Sequence, residues 1–185
     1  MDHDISHQIL TWIRSHYFGK YRGIVTDNND TTGRGRLKVS VQAVLGDLEV
    51  WAMPCVPYAG NGVGFYSIPN EKTGVWVEFE AGDPSSPIWS GCFWADGEVP
   101  DASGPSIKIW KTDKLSVRAD DDADELKVST DSSSTITLSD DIELNSGGSS
   151  HTVGSSGITS DSGGTGKVEV TSASVSLNSG AFDVA

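Results

Sequence analysis

The feature that most constrains the fold is a series of apolar pairs in residues 106–185, in which a single residue separates the two members of each pair. This spacing puts both members on one face of a β-strand, and their β-branched content suits strands. Ser, Asp, Asn and Gly lie between successive pairs, so the segment is a weak repeat of short strands and turns. The pairs are Ile107/Ile109, Leu115/Val117, Leu126/Val128, Ile136/Leu138, Ile142/Leu144, Val168/Val170, Val175/Leu177 and Phe182/Val184.

Composition decides how these strands can be stabilised. Ser, Thr, Gly and Asp fill 44 of the 80 positions in this segment. Each strand offers about two apolar side chains, and burial at roughly 25 cal/mol per Å² cannot offset the cost of ordering so polar a chain alone. We therefore predict an intertwined trimeric β-helix or β-prism needle over residues 106–185, with all the paired residues in its core. The alternative is a single-chain β-solenoid, although solenoid repeats are usually more regular in length.

Residues 147–167 interrupt this rhythm, because Val153 and Ile158 are the only apolar residues there. The segment is predicted to be an irregular or flexible loop within the needle. His151 falls in it, and a surface position is the simpler interpretation, although a trimer would bring three imidazoles around one axis. No metal ligand is predicted.

Residues 1–100 have the composition of a globular domain and hold five of the six Trp residues. An amphipathic helix is predicted within residues 1–18, because apolar residues recur there at helical spacing. This stripe would pack on its own domain, which is the simpler expectation, or dock on a partner. Its members are Ile5, Ile9, Trp12, Ile13 and Tyr17.

Residues 19–100 change to a β pattern. Five or six short strands are indicated, separated by turns rich in Gly, Asp and Asn, and this number suits a small closed barrel of the OB type. The fold class is therefore all-β, with a short helix before the barrel. The predicted strands are 21–25, 36–41, 49–52, 65–69, 74–80 and 87–93, with a loop at 60–64.

Charge and residue usage exclude several classes of protein. The formal net charge of −13 argues against nucleic-acid binding, which needs Lys and Arg to displace counterions from phosphates. No run of 18 or more apolar residues is present, which excludes a membrane-spanning helix, and the N-terminus does not resemble a secretory leader.

Cys55 and Cys92 are too few for a disulfide framework and are expected to be buried free thiols. An OB barrel that bound single strands would use Arg34, Arg36, Lys38, Trp51, Tyr66 and Trp76.

No arrangement of residues indicates catalysis, so we predict that the protein is not an enzyme and that it needs no cofactor. Ser, His and Asp occur together in any chain this rich in Ser and Asp, so they carry little information. The acidic run at residues 120–125 fails as an EF-hand, since Glu125 stands where Gly is required and Asp131 where Glu is required. A solvated turn between strands is predicted there.

Three segments resemble the N-terminal OB domain of the spike family of contractile injection systems. They are YRGIV at 21–25, GRLKV at 35–39 and GDPSSPIWSG at 82–91, of which the last is the most specific. The family comprises baseplate assembly protein V, the central spike of phage tails and the VgrG-like spikes of type VI secretion. The resemblance covers residues 17–95, and residues 175–184 also look like the end of such spikes.

The resemblance implies a structural role for a homotrimer. Its OB collar would sit on a baseplate hub protein, and a PAAR-like tip protein would cap the needle, which enters a target membrane when the sheath contracts. The chain would assemble in the cytoplasm as part of a phage-tail-like particle, without a nucleic-acid partner. The alternative is an OB-fold adhesin or carbohydrate-binding module on a fibrous stalk, with an exposed aromatic cluster on a concave face of the barrel.

Overall fold

A computed structural model of the protein describes residues 2–101, 104–179 and 181–184, and the side chains of residues 5–182 within these ranges. The chain divides into two compact units, Met1–Glu98 and Val99–Ala185. The first contains a helix and a barrel, and the second is a single sheet. This all-β architecture is the predicted fold class.

Within residues 2–98, which the structure describes, the first unit contains two helices, seven strands and a 3₁₀ turn. Five of its strands close into a barrel, whose closing pair is parallel and joins the third strand to the seventh. This arrangement confirms the predicted OB-type barrel. In chain order the elements are α1 (Asp2–Ser15), β1 (Tyr21–Asp27), β2 (Leu37–Ser40), α2 (Gln42–Leu45), β3 (Glu49–Pro54), β4 (Ala59–Gly60), β5 (Val63–Gly64), β6 (Gly74–Phe79), the 3₁₀ turn Glu80–Gly82 and β7 (Pro87–Phe93).

Alternation along the barrel strands decides which side chains form the core. In β2, Leu37 and Val39 are fully buried, whereas Lys38 between them is partly exposed. The indole N–H of Trp89 donates to the carbonyl of Gly35 at 3.2 Å, which satisfies the polar atom of a core aromatic residue. The buried core consists of Val25, Leu37, Val39, Val41, Ala52, Val75, Val77, Phe79 and Trp89.

The structure corrects the prediction for residues 59–69. The predicted loop contains a short hairpin of β4 and β5 around Asn61 and Gly62, and Gly62 has a φ of +72°. Glycine suits this second central position of the turn, because L side chains rarely adopt a positive φ. The predicted strand at 65–69 does not form. Since every strand of the barrel already has two neighbours, it leaves no edge for a further strand.

Four members of the apolar stripe do not pack on the barrel. Ile5, Ile9, Trp12 and Ile13 are 56%, 52%, 51% and 55% exposed, and every described side chain of α1 is exposed. The fifth member, Tyr17, follows the helix, donates its N–H to the Gly82 carbonyl at 2.8 Å and packs against the barrel core. The expectation that the stripe packs on its own domain is therefore confirmed for Tyr17 and wrong for the residues within α1. No helix in the described residues has the length and apolarity needed to cross a membrane.

Both cysteines are exposed, so the expectation of buried thiols is also wrong. Cys55 follows the end of β3. Cys92 lies near the end of β7, beyond a register shift in the pairing with β6, and it is exposed although it pairs with the buried Val75.

In its described residues, the second unit is one antiparallel sheet of ten strands that pair in chain order. Eight of these strands coincide with the predicted apolar pairs, and turns join them. Because neighbouring strands run in opposite directions, the unit is a meander and lacks the stacked coils of the single-chain solenoid that was the alternative. The strands are β8 (Ile107–Lys111), β9 (Leu115–Asp120), β10 (Glu125–Thr130), β11 (Thr135–Leu138), β12 (Ile142–Ser146), β13 (Ser149–Gly154), β14 (Gly157–Asp161), β15 (Lys167–Val170), β16 (Val175–Leu177) and β17 (Phe182–Val184).

The predicted loop at 147–167 is wrong, because β13 and β14 occupy most of it. Val153 and Ile158 lie opposite each other in this hairpin, so each strand contributes one apolar residue to the face where other strands contribute two. Gly157 has a φ of +136°, and a Cβ there would collide with the backbone carbonyl of Val170. The hairpin therefore depends on Gly157 for its close approach to β15.

Candidate functional site

One face of the C-terminal sheet carries two parallel rows of apolar side chains. Residues paired directly across antiparallel strands share a face, so the register defines the rows. Row one contains Val117, Val128, Ile136, Leu144, Val168, Leu177 and Phe182. Row two contains Ala119, Leu126, Leu138, Ile142, Val153, Ile158, Val170 and Val175.

This apolar face is uncovered. Its strongly exposed members range from 37% at Val153 and Val170 to 60% at Phe182. Among the described residues of Val99–Ala185, none is buried. A single sheet of this kind leaves its apolar side chains in water, and contiguous exposed apolar surface of this extent marks an interaction site.

Thirteen of the sixteen predicted core residues lie on the apolar face, since twelve belong to the two rows and Leu115 extends the face beside row one. Ile107 and Ile109 lie on the opposite face, because they pair with Asp120 and Arg118. A register offset of one residue between β8 and β9 produces this exchange. Val184 pairs through its backbone with Val175, and its side chain is outside the described set.

Sequence reasoning missed several residues of this face. Trp110 is 49% exposed and pairs with Val117, so it extends row one into β8. Val153 and Ile158 stand alone in their strands, and the glycines at 154 and 157 that flank their turn were the available signal. Alternation is hard to recognise when Ser and Thr fill the remaining positions of a strand.

The opposite face of the sheet is polar and its side chains bind one another. Ser116 and Ser129 are 2.7 Å apart, and Lys167 binds Glu169 at 3.1 Å. Arg118 contacts both Asp120 at 2.9 Å and Glu125 at 3.7 Å. Ser116–Ser129 and Arg118–Glu125 join neighbouring strands, whereas the other two pairs lie within one strand, and together they order a hydrated surface.

A hydrogen bond from Arg118 lowers the pKa of Asp120, which also accepts backbone N–H groups from Asp122 and Ala123. This carboxylate therefore stabilises the turn between β9 and β10. The acidic run is a turn between strands, as predicted.

Row one has one polar interruption. His151 pairs with Leu144 on one side and with Ser160 on the other, and Ser160 in turn pairs with Val168. The Nδ1 atom of His151 lies 2.7 Å from the Ser160 hydroxyl, and both residues are partly buried. The structure thus places His151 in strand β13 on the apolar face, and the predicted surface loop is wrong.

In the barrel, the small basic cluster is mostly neutralised by acidic partners. Arg36 binds Asp30 at 2.9 Å, with side chains only 19% and 5% exposed, and Lys38 binds Glu49 at 3.1 Å. The Asp30 carboxylate also accepts the backbone N–H groups of Arg34 and Arg36. The Arg36 guanidinium holds the pKa of Asp30 far below its usual range.

The barrel aromatics proposed as stacking platforms do not form one open surface. The guanidinium of Arg36 lies 5.1 Å from the ring centre of Trp51, and that of Arg22 lies 5.1 Å from the ring centre of Trp76. Each ring therefore already has a cation over one face. Tyr66 is 81% exposed and lies beside a cleft of 420 Å³ that Tyr58 and Phe65 also line.

Comparison with known proteins agrees with the barrel geometry. Residues 21–94 match the model of the type VI secretion system/phage-baseplate injector OB domain. These bounds contain all five barrel strands and nearly coincide with the predicted range of resemblance. A comparison with curated protein sequences finds no match. The barrel of this chain is therefore similar to the injector OB domain of type VI secretion systems and phage baseplates, which supports a baseplate spike-related protein.

Proposed function

We propose that this protein is the central spike, a membrane-piercing needle, of a contractile phage-tail-like injection particle. Three chains would each supply one sheet, with the apolar faces around a common axis and the polar faces in water. The observation that carries this proposal is the double apolar row on a unit in which no described residue is buried. Identical copies cover such a face because each presents the same rows.

The narrowness of the apolar face favours three chains over two. The two rows lie two residues apart along each strand, which is about 7 Å. Sandwiches of two sheets bury broad faces, whereas a strip this narrow is covered when three strips meet around an axis. Because all described strands pair within one chain, each chain would form one wall of a prism. This is the prism form of the predicted needle, without alternation of strands between chains.

The proposed role is mechanical and involves no catalysis. Ten strands spaced 4.7–4.9 Å apart give a ladder of about 43 Å along the axis of such a prism. Every wall would be hydrogen-bonded along this length, and packing of the rows would lock the walls together. The polar face, with its Ser, Thr and charged pairs, keeps the assembled needle soluble before contraction.

The proposed partners follow from the family and from two exposed surfaces. The OB collar and the stripe of α1 would contact the baseplate hub protein, since Ile5, Ile9 and Ile13 have no cover in their own unit. A PAAR-like tip protein would cover the sheet near Phe182, which is 60% exposed. Assembly in the cytoplasm and entry into a target membrane on contraction complete the proposal, with no role for nucleic acid.

The oligomeric mass of the purified protein tests this function. Size-exclusion chromatography with light scattering should give three times 19.6 kDa. Circular dichroism of the same fraction should show β-structure. A monomer with an intact β spectrum and a cooperative melt of the C-terminal sheet would contradict the proposal, because that sheet would then be stable without covering its rows.

The cleft beside Tyr66 favours a second candidate function, carbohydrate binding. Exposed aromatic rings stack on the apolar faces of sugars, and Tyr58, Phe65 and Tyr66 lie together there. A glycan array with the wild type and with Tyr66→Ala would separate the candidates. Retention of a specific glycan that depends on Tyr66, in a protein that is not trimeric, would favour the adhesin.

A further inference from the structure

We propose that the cleft beside Tyr66 binds a glycan through one acidic sugar, whose carboxylate pairs with the guanidinium of Arg34. The proposal rests on the second candidate function, carbohydrate binding, and names the class of sugar that the cleft takes. It does not depend on a trimer, because the residues that line the cleft all belong to the first unit of one chain.

Arg34 supplies the positive charge of this cleft and has no acidic partner. Its side chain is exposed, and its Nε–H donates to the hydroxyl of Thr32 at 3.2 Å. Among the described residues, no carboxylate lies within ion-pair distance of Arg34, and its two terminal nitrogens have no hydrogen-bond partner. A planar guanidinium with two free terminal nitrogens matches a carboxylate, which it binds through two parallel hydrogen bonds.

The hydrogen bonds of Asp30 explain why Arg34 is left without a carboxylate. Oδ1 of Asp30 accepts from the Arg36 guanidinium at 2.9 Å and from the Thr32 hydroxyl at 2.7 Å. Oδ2 accepts the backbone N–H groups of Arg34 and Arg36 at 2.9 and 3.2 Å. Both oxygens of Asp30 are therefore occupied, and the Arg34 side chain stays available to a ligand.

The charge of the cleft differs from that of the chain as a whole. Although the chain has 26 Asp and Glu residues, none of them is among the described residues that line the cleft. Salt screens the repulsion from carboxylates that lie more than about 8 to 10 Å away. The local charge of Arg34 therefore favours an anionic ligand, even on an acidic protein.

The rest of the lining suits a sugar. Tyr58, Phe65 and Tyr66 are exposed, and their rings can stack on the C–H faces of a pyranose. Glycines at 33, 35, 60, 62 and 64 also line the cleft, where they leave backbone N–H and C=O groups open to the hydroxyl groups of a ligand. A glycan uses both surfaces, because it presents apolar C–H faces and hydroxyl groups together.

A second cleft, of 760 Å³, adjoins the first and shares Arg34 and Pro54 with it. Arg34 therefore lies where the two clefts meet, with room for further sugars on either side. Glu78 and Glu80 line the second cleft and would repel another carboxylate there. The ligand class is thus a glycan with a single acidic sugar among neutral ones.

A glycan array that carries acidic glycans beside their neutral parents, with sialyllactose and lactose among them, tests the site in the full-length protein. The wild type should retain glycans with one carboxylate and release the neutral parents. For the best acidic glycan, calorimetry should show that methyl esterification, which removes the charge, weakens binding by about 10- to 100-fold. Arg34→Ala should weaken binding by the same factor. Arg34→Lys keeps the charge and loses the paired hydrogen bonds, so its affinity should lie between those of the wild type and Arg34→Ala.

Arg14→Ala is the matched control, because Arg14 is an exposed arginine of α1 outside the cleft and its loss changes the net charge equally. This variant should bind as the wild type does. Equal retention of acidic and neutral glycans, or equal weakening by Arg14→Ala and Arg34→Ala, overturns the role of Arg34 and leaves carbohydrate binding intact. If the wild type retains no glycan, or only an oligoglutamate peptide printed on the same array, both the acidic-sugar site and the carbohydrate candidate fail, and the spike proposal is unaffected.

Discussion

The barrel and the C-terminal sheet are built from the same alternation of apolar and polar residues, yet only the barrel buries its own core. Nine buried apolar residues form the core of the described barrel, among them Leu37 and Trp89. None of the described residues of the sheet is buried. The barrel closes through the pairing of β3 with β7, whereas the sheet remains open between β8 and β17. Alternation thus shows which face is apolar, and closure decides whether the chain covers that face itself.

The largest expected effect comes from placing a charge in the rows. Leu177→Asp puts three carboxylates into the proposed axis, where each costs several kcal/mol to desolvate. We expect loss of the trimer and of the C-terminal β-structure, with the barrel still folded. Val170→Asp should act in the same way from row two. Light scattering measures the mass, and circular dichroism measures the loss of strand content.

Ser176→Asp is the matched control for this charge. Ser176 lies in the same strand as Leu177 but on the polar face, opposite Glu169. Its variant should keep the trimeric mass. Normal trimers from Leu177→Asp, or loss of trimers from Ser176→Asp, would show that the apolar face does not turn inward.

A cavity in the barrel core should destabilise the barrel and leave the C-terminal sheet unaffected, which is the reverse of the effect of Leu177→Asp. Leu37 is fully buried, and Leu→Ala in such a core costs about 2–5 kcal/mol. We expect Leu37→Ala to lower the unfolding temperature of the barrel and to leave the trimer assembled. Thermal scans at several protein concentrations measure this contrast.

Concentration provides the control in those scans. The transition of an assembled sheet rises with protein concentration, whereas that of a barrel folded within one chain does not. If neither unfolding transition depends on protein concentration, in the wild type and in the variant, then the sheet does not need other chains for its stability. This result would contradict the proposed difference between the barrel and the C-terminal sheet.

The positions of most strands could be predicted from alternation, because a half-buried strand repeats every two residues. β6 and β7, for example, lie within a residue of their predicted bounds. The sparse apolar content of residues 106–185 led to the prediction that other copies cover these strands, and it stays a prediction. The structure adds that the apolar face is uncovered within the described residues of one chain.

The face on which each side chain lies, and the residues that it contacts, could be predicted less accurately than the strands, because both depend on the turns. The turn between β8 and β9 shifts the register so that Ile107 meets Asp120. One residue of shift exchanges the two faces of a strand, and no local pattern encodes it. Likewise, His151 joined row one only when the hairpin of β12 and β13 aligned it with Leu144. The Asp30–Arg36 pair depends on a turn conformation.

A smaller effect is expected from the turn that aligns His151. Gly157→Ala forces a Cβ against the Val170 carbonyl at a φ of +136°, a conformation that L side chains rarely adopt. We expect about 1–3 kcal/mol of destabilisation in the C-terminal transition alone. Gly164→Ala is the control, since a Cβ there meets only the Ser162 hydroxyl at 3.9 Å. Equal melting of both variants would contradict the close approach of β14 to β15.

Acid should weaken the barrel through Asp30. Hydrogen bonds from Arg36 and Thr32 lower the pKa of Asp30 from its ordinary value of 3.8. The folded state therefore binds this proton less readily than the unfolded chain does. The stabilising contribution of Asp30 is complete at pH values above 3.8, the pKa of this group in the unfolded chain. It is lost as the pH falls below 3.8 toward the lower pKa of the folded state.

Asp30→Asn isolates this effect, because the amide cannot titrate. The pKa values of Asp83 and Asp120 are lowered as well, so the informative quantity is the wild type minus the variant. Tryptophan fluorescence reports mainly on the first unit, which holds five of the six Trp residues. The wild type should be the more stable above about pH 5, and the difference should shrink as the pH falls toward 2. A difference that stays constant over this range would mean that Asp30 stabilises the turn by its shape and not by its charge.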